Sequence, residues 1–291
     1  MLDLSSQPEG SFHTLFDYKA SLTSLGAAYQ RAAHQVFEAQ PLLLDDPVAL
    51  PLLGPEALKL IQDTADNYRT PEMLALRSHM VLRSRFTEDR LAAAVFRGIK
   101  QYVILGAGFD TFALRQPSWA QALKIIEVDH SKTQTMKRSY IAAAGLIILD
   151  NTIFANINFE YESLHDGLLR YHISPHEPTF FSWLGVTMYL KEDAIDAVLR
   201  SIAMFPAGSE IVLTFRTRSG DSPSPLAQIV ANLGEPWVSY FDPDELKAKL
   251  LSAGFSKAEF LSPAEADERY FRQRPKDLPV PKQINILCAV L

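Results

Sequence analysis

The chain has 291 residues, enough for one large domain or two small ones. It is 47% hydrophobic and 21% charged, near the averages for soluble globular chains, which excludes a disordered or collagen-like polymer. The 28 Lys and Arg stand against 34 Asp and Glu for a net charge of -6, so nucleic-acid binding through a general basic excess is excluded and only a local basic face stays open. Cys288, the single cysteine, allows no intrachain disulfide and fits a reducing compartment. The opening segment MLDLSSQPEG has neither a basic nor an apolar stretch, and no apolar run approaches the roughly 18 residues of a membrane span. A soluble cytoplasmic protein with no membrane partner is the expectation.

Residues 1–100 read as helices with Pro-rich joints. Ala27–Ala39 is rich in helix formers, and Pro41, Pro47, Pro51 and Pro55 then cut the chain into short pieces. Thr70-Pro71-Glu72 opens another helix, with Thr70 as N-cap and Pro71 at its first position; that helix, or a pair of helices, runs through Arg83 to Phe96 and stops near Gly98. From Gln101 onward strands and helices alternate. The strands expected are Tyr102–Leu105, Lys124–Val128, Thr152–Ile157, Thr179–Trp183 and Glu210–Phe215, flat in pattern as strands covered on both faces are. Glu192–Phe205 is the clearest helix between them. This order predicts a parallel sheet with helices on both sides. Near the end, a helix at Pro243–Ala253 precedes strands at Phe255–Leu261 and Ile284–Leu291, an antiparallel addition at one sheet edge.

Val103–Asp110 (VILGAGFD) is the most informative stretch. A buried strand runs into Gly106-Ala107-Gly108, and a helix is expected through Thr111–Leu114. Two glycines let the backbone turn tightly and approach a ligand closely. The third glycine of a dinucleotide fingerprint would fall at Thr111, which counts against NAD. The next strand ends in Ile126–His130 (IEVDH), where Glu127 and Asp129 share a face and Asp129 lies at the ligand-bearing end. A carboxylate there accepts from both hydroxyls of a ribose. Together these features fit a nucleoside without a diphosphate, most commonly S-adenosylmethionine. They fit an ordinary strand–turn–helix with a surface acid equally well.

The stretches Gln101–Arg115, Ile126–His130 and Trp183–Leu190 (WLGVTMYL) resemble the leucine carboxyl methyltransferase superfamily, and more closely its bacterial branch of S-adenosylmethionine-dependent methyltransferases. Asp45-Asp46-Pro47 and Arg83–Leu91 are similar to that branch's N-terminal motifs, and the likeness covers residues 27 to 216 in order. It implies an α/β class I methyltransferase fold: a Rossmann-like, seven-stranded, mostly parallel sheet with an antiparallel last strand. A helical cap (1–100) would precede a core (101–291) that holds a lid insertion (217–242). It also implies S-adenosyl-L-methionine as cofactor. The implied cofactor site comprises Arg83, Gly106, Ala107, Gly108, Asp129 with its neighbour His130, Asn158 and Leu184. Gly106 and its neighbours would face the methionine part, Asp129 the ribose, and Arg83 the methionyl carboxylate, with Arg85 as competitor. Where the family usually has Asp near the adenine, this chain has Asn158. Leu184 stands where the leucine carboxyl methyltransferases have Glu, which removes the ground for assigning a protein C-terminal leucine as acceptor.

The function expected is O-methylation of a small-molecule carboxylate or hydroxyl. A non-catalytic adenosyl-binding module and a nicotinamide-dependent oxidoreductase are the alternatives. A carboxylate nucleophile needs no base; for a hydroxyl the sequence offers Tyr189, His130 and His165, of which Tyr189 is the candidate retained and His165 reads as a surface loop residue. No metal site is assigned, and the oligomeric state is open. Lys132, Lys137 and Arg138 read as an exposed helix face. Arg218–Pro225 reads as a mobile loop that forms a lid with Ala227–Tyr240, and Trp237, Tyr240 and Phe241 as a substrate-pocket lining or as ordinary packing.

Overall fold

The computed structural model describes residues 21–218 and 224–291. The segment MLDLSSQPEG and the middle of the Arg218–Pro225 loop lie outside the described residues.

Helix α1 (Leu22–Phe37) begins at Ser21, whose hydroxyl accepts from the Ser24 N–H. The prolines then limit the chain to three short helices, α2 (Ala49–Leu52), α3 (Glu56–Asp63) and α4 (Ala65–Tyr68). Helix α5 (Pro71–Phe96) is one unbroken helix of 26 residues, so the single-helix alternative is the one realised. Thr70 caps it as expected, accepting from the Met73 N–H at 3.3 Å with Pro71 at the first position. It ends where Gly98 takes a positive φ of 107°.

Strands β1 (Gln101–Leu105), β2 (Lys124–Asp129), β3 (Thr152–Asn156), β4 (Thr179–Trp183), β5 (Glu210–Thr214), β6 (Lys257–Phe260) and β7 (Ile286–Val290) form one seven-stranded sheet in the order β3-β2-β1-β4-β5-β7-β6. Between them run α6 (Ser131–Ala143), α7 (Leu164–Arg170), α8 (Glu192–Ile202), α9 (Pro225–Asn232) and α10 (Pro243–Ala253). β7 pairs antiparallel with both β5 and β6. The last strand therefore enters between its two neighbours rather than extending the edge, and β6 takes the edge position.

Side chains alternate between two covered faces. Tyr102, Ile104, Ile125, Phe180 and Val212 pack with Val81, Leu82, Phe86 and Leu91 of α5. Val103, Leu105, Ile126, Val128, Phe181 and Leu213 pack with residues of α7, α8 and α10. Double coverage is the physical reason for the unalternating strand sequences. A third cluster, from α1 to α4, reaches over to Phe109 and Ile141.

Two local expectations are corrected. Beyond the glycine turn the chain makes only a short 3-10 turn at Phe112–Leu114. The Asp110 carboxylate accepts the Phe112 N–H at 2.8 Å, and Pro117 follows too soon for an α-helix to develop. Lys137 is not on an exposed face: it is buried, with Nζ 2.5 Å from Glu127 Oε2. Glu127 lies on β2 beneath α6, and a carboxylate in that position requires a counter-charge. Burial pushes Glu127 up to about 7 against the pull of Lys137.

Lys137→Ala strands Glu127 in the core and is expected to destabilise the fold by about 3–5 kcal/mol, whereas Glu127→Leu with Lys137→Met together should recover most of the loss. Urea unfolding of the three proteins tests this; equal stabilities for the single and double variants contradict it.

Candidate active site

The site is built at the carboxyl ends of β1, β2, β4 and β5. Where β1 ends, Gly106 and Gly108 take positive φ values of 65° and 49°, which let the chain fold back over β2. The N–H groups of Gly106 and Ala107 both donate to the Val128 carbonyl, at 2.8 and 3.0 Å. The Gly108 N–H donates to Asp129 Oδ2 at 2.6 Å, and the His130 N–H donates to Oδ1 at 2.7 Å. Asp129 thus clamps the turn. Burial pushes its carboxyl up, opposed by these two N–H groups, Lys137 and His130. The space above the turn receives side chains from other segments. A Cβ on Gly106 would run into Val186 beyond β4, and one on Gly108 would come within 2.8 Å of Ser24 at the start of α1. A Cβ on Gly185, also beyond β4, would lie 2.7 Å from Arg83 Nη1 on α5.

Of the residues expected here, Gly106, Ala107, Gly108 and Asp129 form one turn, and Arg83 faces the neighbouring Gly185. Arg85 points elsewhere: it is exposed, pairs with Asp89 at 2.9 Å and reaches the Leu43 carbonyl at 3.3 Å. Arg90 pairs with the buried Glu210 at 2.6 Å. His130 is exposed, and its Nδ1 accepts the Lys132 N–H to cap α6. Asn158 follows β3, with its side-chain oxygen accepting the Glu160 N–H within its own turn at 3.0 Å. Leu184 leans on the α5 side of the core. Asp46 is buried, bonds Thr111 Oγ1 at 2.5 Å and lies 3.3 Å from Arg115, which ties the cap helices to the β1 exit. His165 is not on a surface loop: it sits half-buried in α7 with its ring 6.5 Å from that of Phe205. Phe241 belongs to the core, while Trp237 and Tyr240 are half-buried at the site's rim.

The family described as leucine carboxyl methyltransferase matches residues 24–203. A Bacillus subtilis (strain 168) protein named "Putative S-adenosyl-L-methionine-dependent methyltransferase YktD" is 30% identical over 300 residues, covering 94% of this chain and 98% of its own. The chain belongs to the leucine carboxyl methyltransferase family. A Frankia alni protein named "Putative S-adenosyl-L-methionine-dependent methyltransferase FRAAL3718" is 31% identical over 202 residues, covering 67% of this chain and 68% of its own. A crystal structure of a "putative methyltransferase" from Thermobifida fusca YX superposes with a TM-score of 0.53 at 23% identity, covering 82% of this chain and 91% of that one. A DUF574 family protein from Streptomyces avermitilis gives 0.51 at 17%, covering 91% and 95%. The two structures show a shared fold, a class I methyltransferase sheet.

In this member of the leucine carboxyl methyltransferase family the field of the site is strongly positive at one end. Arg83 is held down at about 10, by burial and then by Arg31 and Arg216, against the opposing pull of Tyr189 and Asp110. His79, one helical turn before Arg83, is held down at about 3 by burial, Arg83 and Arg216. Burial also lowers Arg216, with Tyr189 and Tyr240 opposing. Arg83 and His79 are both half-buried. Among the described residues neither Arg83 nor Arg216 forms an ion pair. The sequence analysis missed His79, Arg31 and Arg216. Helical spacing from Arg83 was the available signal for His79, and a position two residues past β5 was the signal for Arg216.

A strap from Glu235 to Phe241 closes this end. The Val238 N–H donates to the Met188 carbonyl at 2.7 Å, and the Phe241 N–H to the Arg216 carbonyl at 2.8 Å. The Glu235 carboxylate accepts the Leu22 N–H at 2.7 Å and the hydroxyls of Thr23 and Ser21 at 2.5 and 3.0 Å, so it fastens the strap to the N-terminus of α1.

Because the folded-state pKa of His79 lies below its unfolded value of 6.5, the unfolded chain binds the extra proton between pH 6.5 and about 3. The His79 contribution to stability is thus complete above pH 6.5. It is lost as pH falls, with a limiting slope of about 1.4 kcal/mol per pH unit. Subtracting the unfolding profile of His79→Gln from that of the native protein isolates this slope; parallel profiles contradict it.

Proposed function

We propose that the protein is an S-adenosylmethionine-dependent O-methyltransferase acting on a carboxylate or hydroxyl of a small-molecule acceptor. Family membership supports S-adenosylmethionine-dependent methyl transfer. The oxygen acceptor rests on the chemistry of the site. The cofactor fits the residues present. Arg83, deep and without an ion-pair partner among the described residues, suits the methionyl carboxylate. Each oxygen of Asp129 accepts one backbone N–H and keeps a lone pair for a ribose hydroxyl. Gly106, Ala107 and Gly108 would run beside the methionine part, with His130, Asn158 and Leu184 completing the adenosyl side.

When bound, the cofactor supplies an electrophilic methyl group on a sulfonium. The protein's task is then to orient two partners and to exclude water. Arg83 and Asp129 fix the cofactor at its two ends. The strap and the start of α1 shield the site. Tyr189, whose phenol lies in the field of Arg83 and Arg216, is assigned to orienting the acceptor. Leu184 stands where the family's glutamate would lie near the methionine part, so no negative charge is added there. The reading treats residues 1–100 as the cap, 101–291 as the core and 217–242 as the lid, in a cytoplasmic enzyme. The uncompensated Arg83 beside Gly185 is the observation that carries it.

Calorimetric titration with S-adenosylmethionine tests the proposal. Asp129→Ala is expected to weaken binding by about 1–3 kcal/mol through the lost ribose bonds. Arg83→Gln should weaken it comparably, and Arg85→Gln should leave it unchanged. No heat from the native protein, or equal losses for the two arginine variants, contradicts the assignment. Binding without turnover across a broad acceptor panel is the result expected of a non-catalytic module.

A further inference from the structure

Arg83 accounts for one positive charge at this end of the site but leaves Arg216 without a task. Arg216 stands just past the end of β5, with its guanidinium carbon 4.4 Å from the centre of the Trp237 ring. Stacking on the indole covers a face of the guanidinium and leaves its edge, with the N–H groups, for in-plane hydrogen bonds. No Asp or Glu among the described residues pairs with that edge. The neighbouring Trp237 supplies a second unanswered donor: its Nε1 is buried and has no hydrogen-bond partner among the described residues. A buried donor left unpaired is costly, and two donors of this kind side by side call for an acceptor group. Tyr240, whose phenol acts on Arg216, borders a recess of about 320 Å³ next to the pair, lined by Thr217, Arg218, Phe241 and Glu245 and not by Arg216 or Trp237 themselves. The Asp242 carboxylate in that recess is occupied in capping α10, where it accepts the Asp244 N–H at 2.9 Å.

We infer that Arg216 and Trp237 form the anion-binding end of the acceptor site, and that the acceptor is a small carboxylic acid whose carboxylate docks on the edge of the Arg216 guanidinium. The inference rests on the proposed methyl transfer and names the class of compound that the same site takes. Two guanidiniums divide the work. Arg83, against Gly185, faces the cofactor side, and Arg216, under the strap, faces the acceptor side. His79 lies in the field of both and stays neutral, so it can accept or donate a hydrogen bond to the acceptor without adding a third positive charge. Planar bidentate contact favours a carboxylate over an alcohol or amide of the same skeleton.

The test is calorimetric titration of the full-length protein with octanoate, phenylacetate and 3-phenylpropionate. The matching alcohols and amides are titrated in parallel, with and without S-adenosylhomocysteine. At least one carboxylate is expected to bind about tenfold or more tightly than its alcohol and amide. Arg216→Gln should cost about tenfold or more in that carboxylate affinity and leave S-adenosylhomocysteine binding within about threefold, while Arg216→Lys recovers part of the loss. NMR of His79 is a readout that a merely structural arginine would not move. Docking of the carboxylate offsets the guanidinium field, so the imidazole pKa should climb by about one unit or more in the native protein and not in Arg216→Gln. The inference is overturned if no carboxylate binds more tightly than its alcohol, if Arg216→Gln leaves carboxylate affinity intact, or if that variant loses S-adenosylhomocysteine as Arg83→Gln does. Carboxylate binding that depends on Arg216 in a protein that fails to bind S-adenosylhomocysteine would refute the methyl-transfer reading and leave this site standing.

Discussion

A guanidinium deep in a protein loses its hydration, and without a counter-ion it recovers little of that loss, a penalty of several kcal/mol. Among the described residues the fold carries this arrangement twice in one place, at Arg83 and Arg216, and much of the surrounding structure serves to hold them there. Arg83 cannot swing outward because Val81, Leu82 and Phe86 fix its helix against the sheet. Arg216 is set by β5, which is buried along its length and paired on both sides. The ion pair between Glu127 and Lys137 shows what the same protein does with a buried charge that has only a structural role: it supplies the partner. Two arginines left without one among the described residues mark a candidate ligand region.

The parts of the fold legible in the sequence were those encoded locally. The strands other than β6 could be read from apolar runs, and the start of α5 from Thr70 and Pro71. The turn at Gly106–Gly108 and the acid at Asp129 were legible because backbone geometry requires glycine and strand endings place an acid at a known edge. Less could be read where three-dimensional neighbours decide. Lys137 looks like a member of a charged helix face, since nothing in its own segment reveals the carboxylate of Glu127 beneath it. The insertion of β7 between β5 and β6 is a matter of strand order, on which hydrophobic pattern is silent. His79, Arg31 and Arg216 belong to segments far apart in the chain, and only folding makes them a single electrostatic unit. The choice between Arg83 and Arg85 needed the helix to be oriented: two residues along an α-helix change the direction of a side chain by about 200°, which sends one to Gly185 and the other to Asp89 at the surface.

The strap ties sequence-distant elements together. Glu235 accepts from the first N–H groups of α1, where the helix dipole favours an anion, and so replaces solvent at an N-terminus that needs partners. The same strap bonds to the β4 exit through Val238 and to the β5 exit through Phe241. Ser24, one turn into α1, rests on Gly108. Lifting the strap therefore removes the support of the α1 start, and with it the cover over the glycine turn. The strap and the start of α1 are joined through this single carboxylate, by a few hydrogen bonds each worth about 1 kcal/mol net.

Charge is distributed along the carboxyl edge of the sheet with a definite direction. At the β2 end stands Asp129, with Asp110 in the neighbouring turn. The ends of β3 and β4 carry an amide, Asn158, and an aliphatic side chain, Leu184, neither of which adds charge. From β4 to β5 the field belongs to Arg83 and Arg216. An ordered dipole of this kind aligns a ligand that has hydroxyl donors at one end and a carboxylate at the other, and it discriminates against the reverse orientation. Under the proposed function Arg83 takes up the carboxylate of such a ligand. The field beyond it remains positive at Arg216, where a molecule arriving under the strap meets an apolar indole and an unpaired cation together. A neutral acceptor would leave that cation desolvated and unanswered. An anionic one brings the charge whose absence makes the site expensive to maintain, and the same attraction places it beside the cofactor.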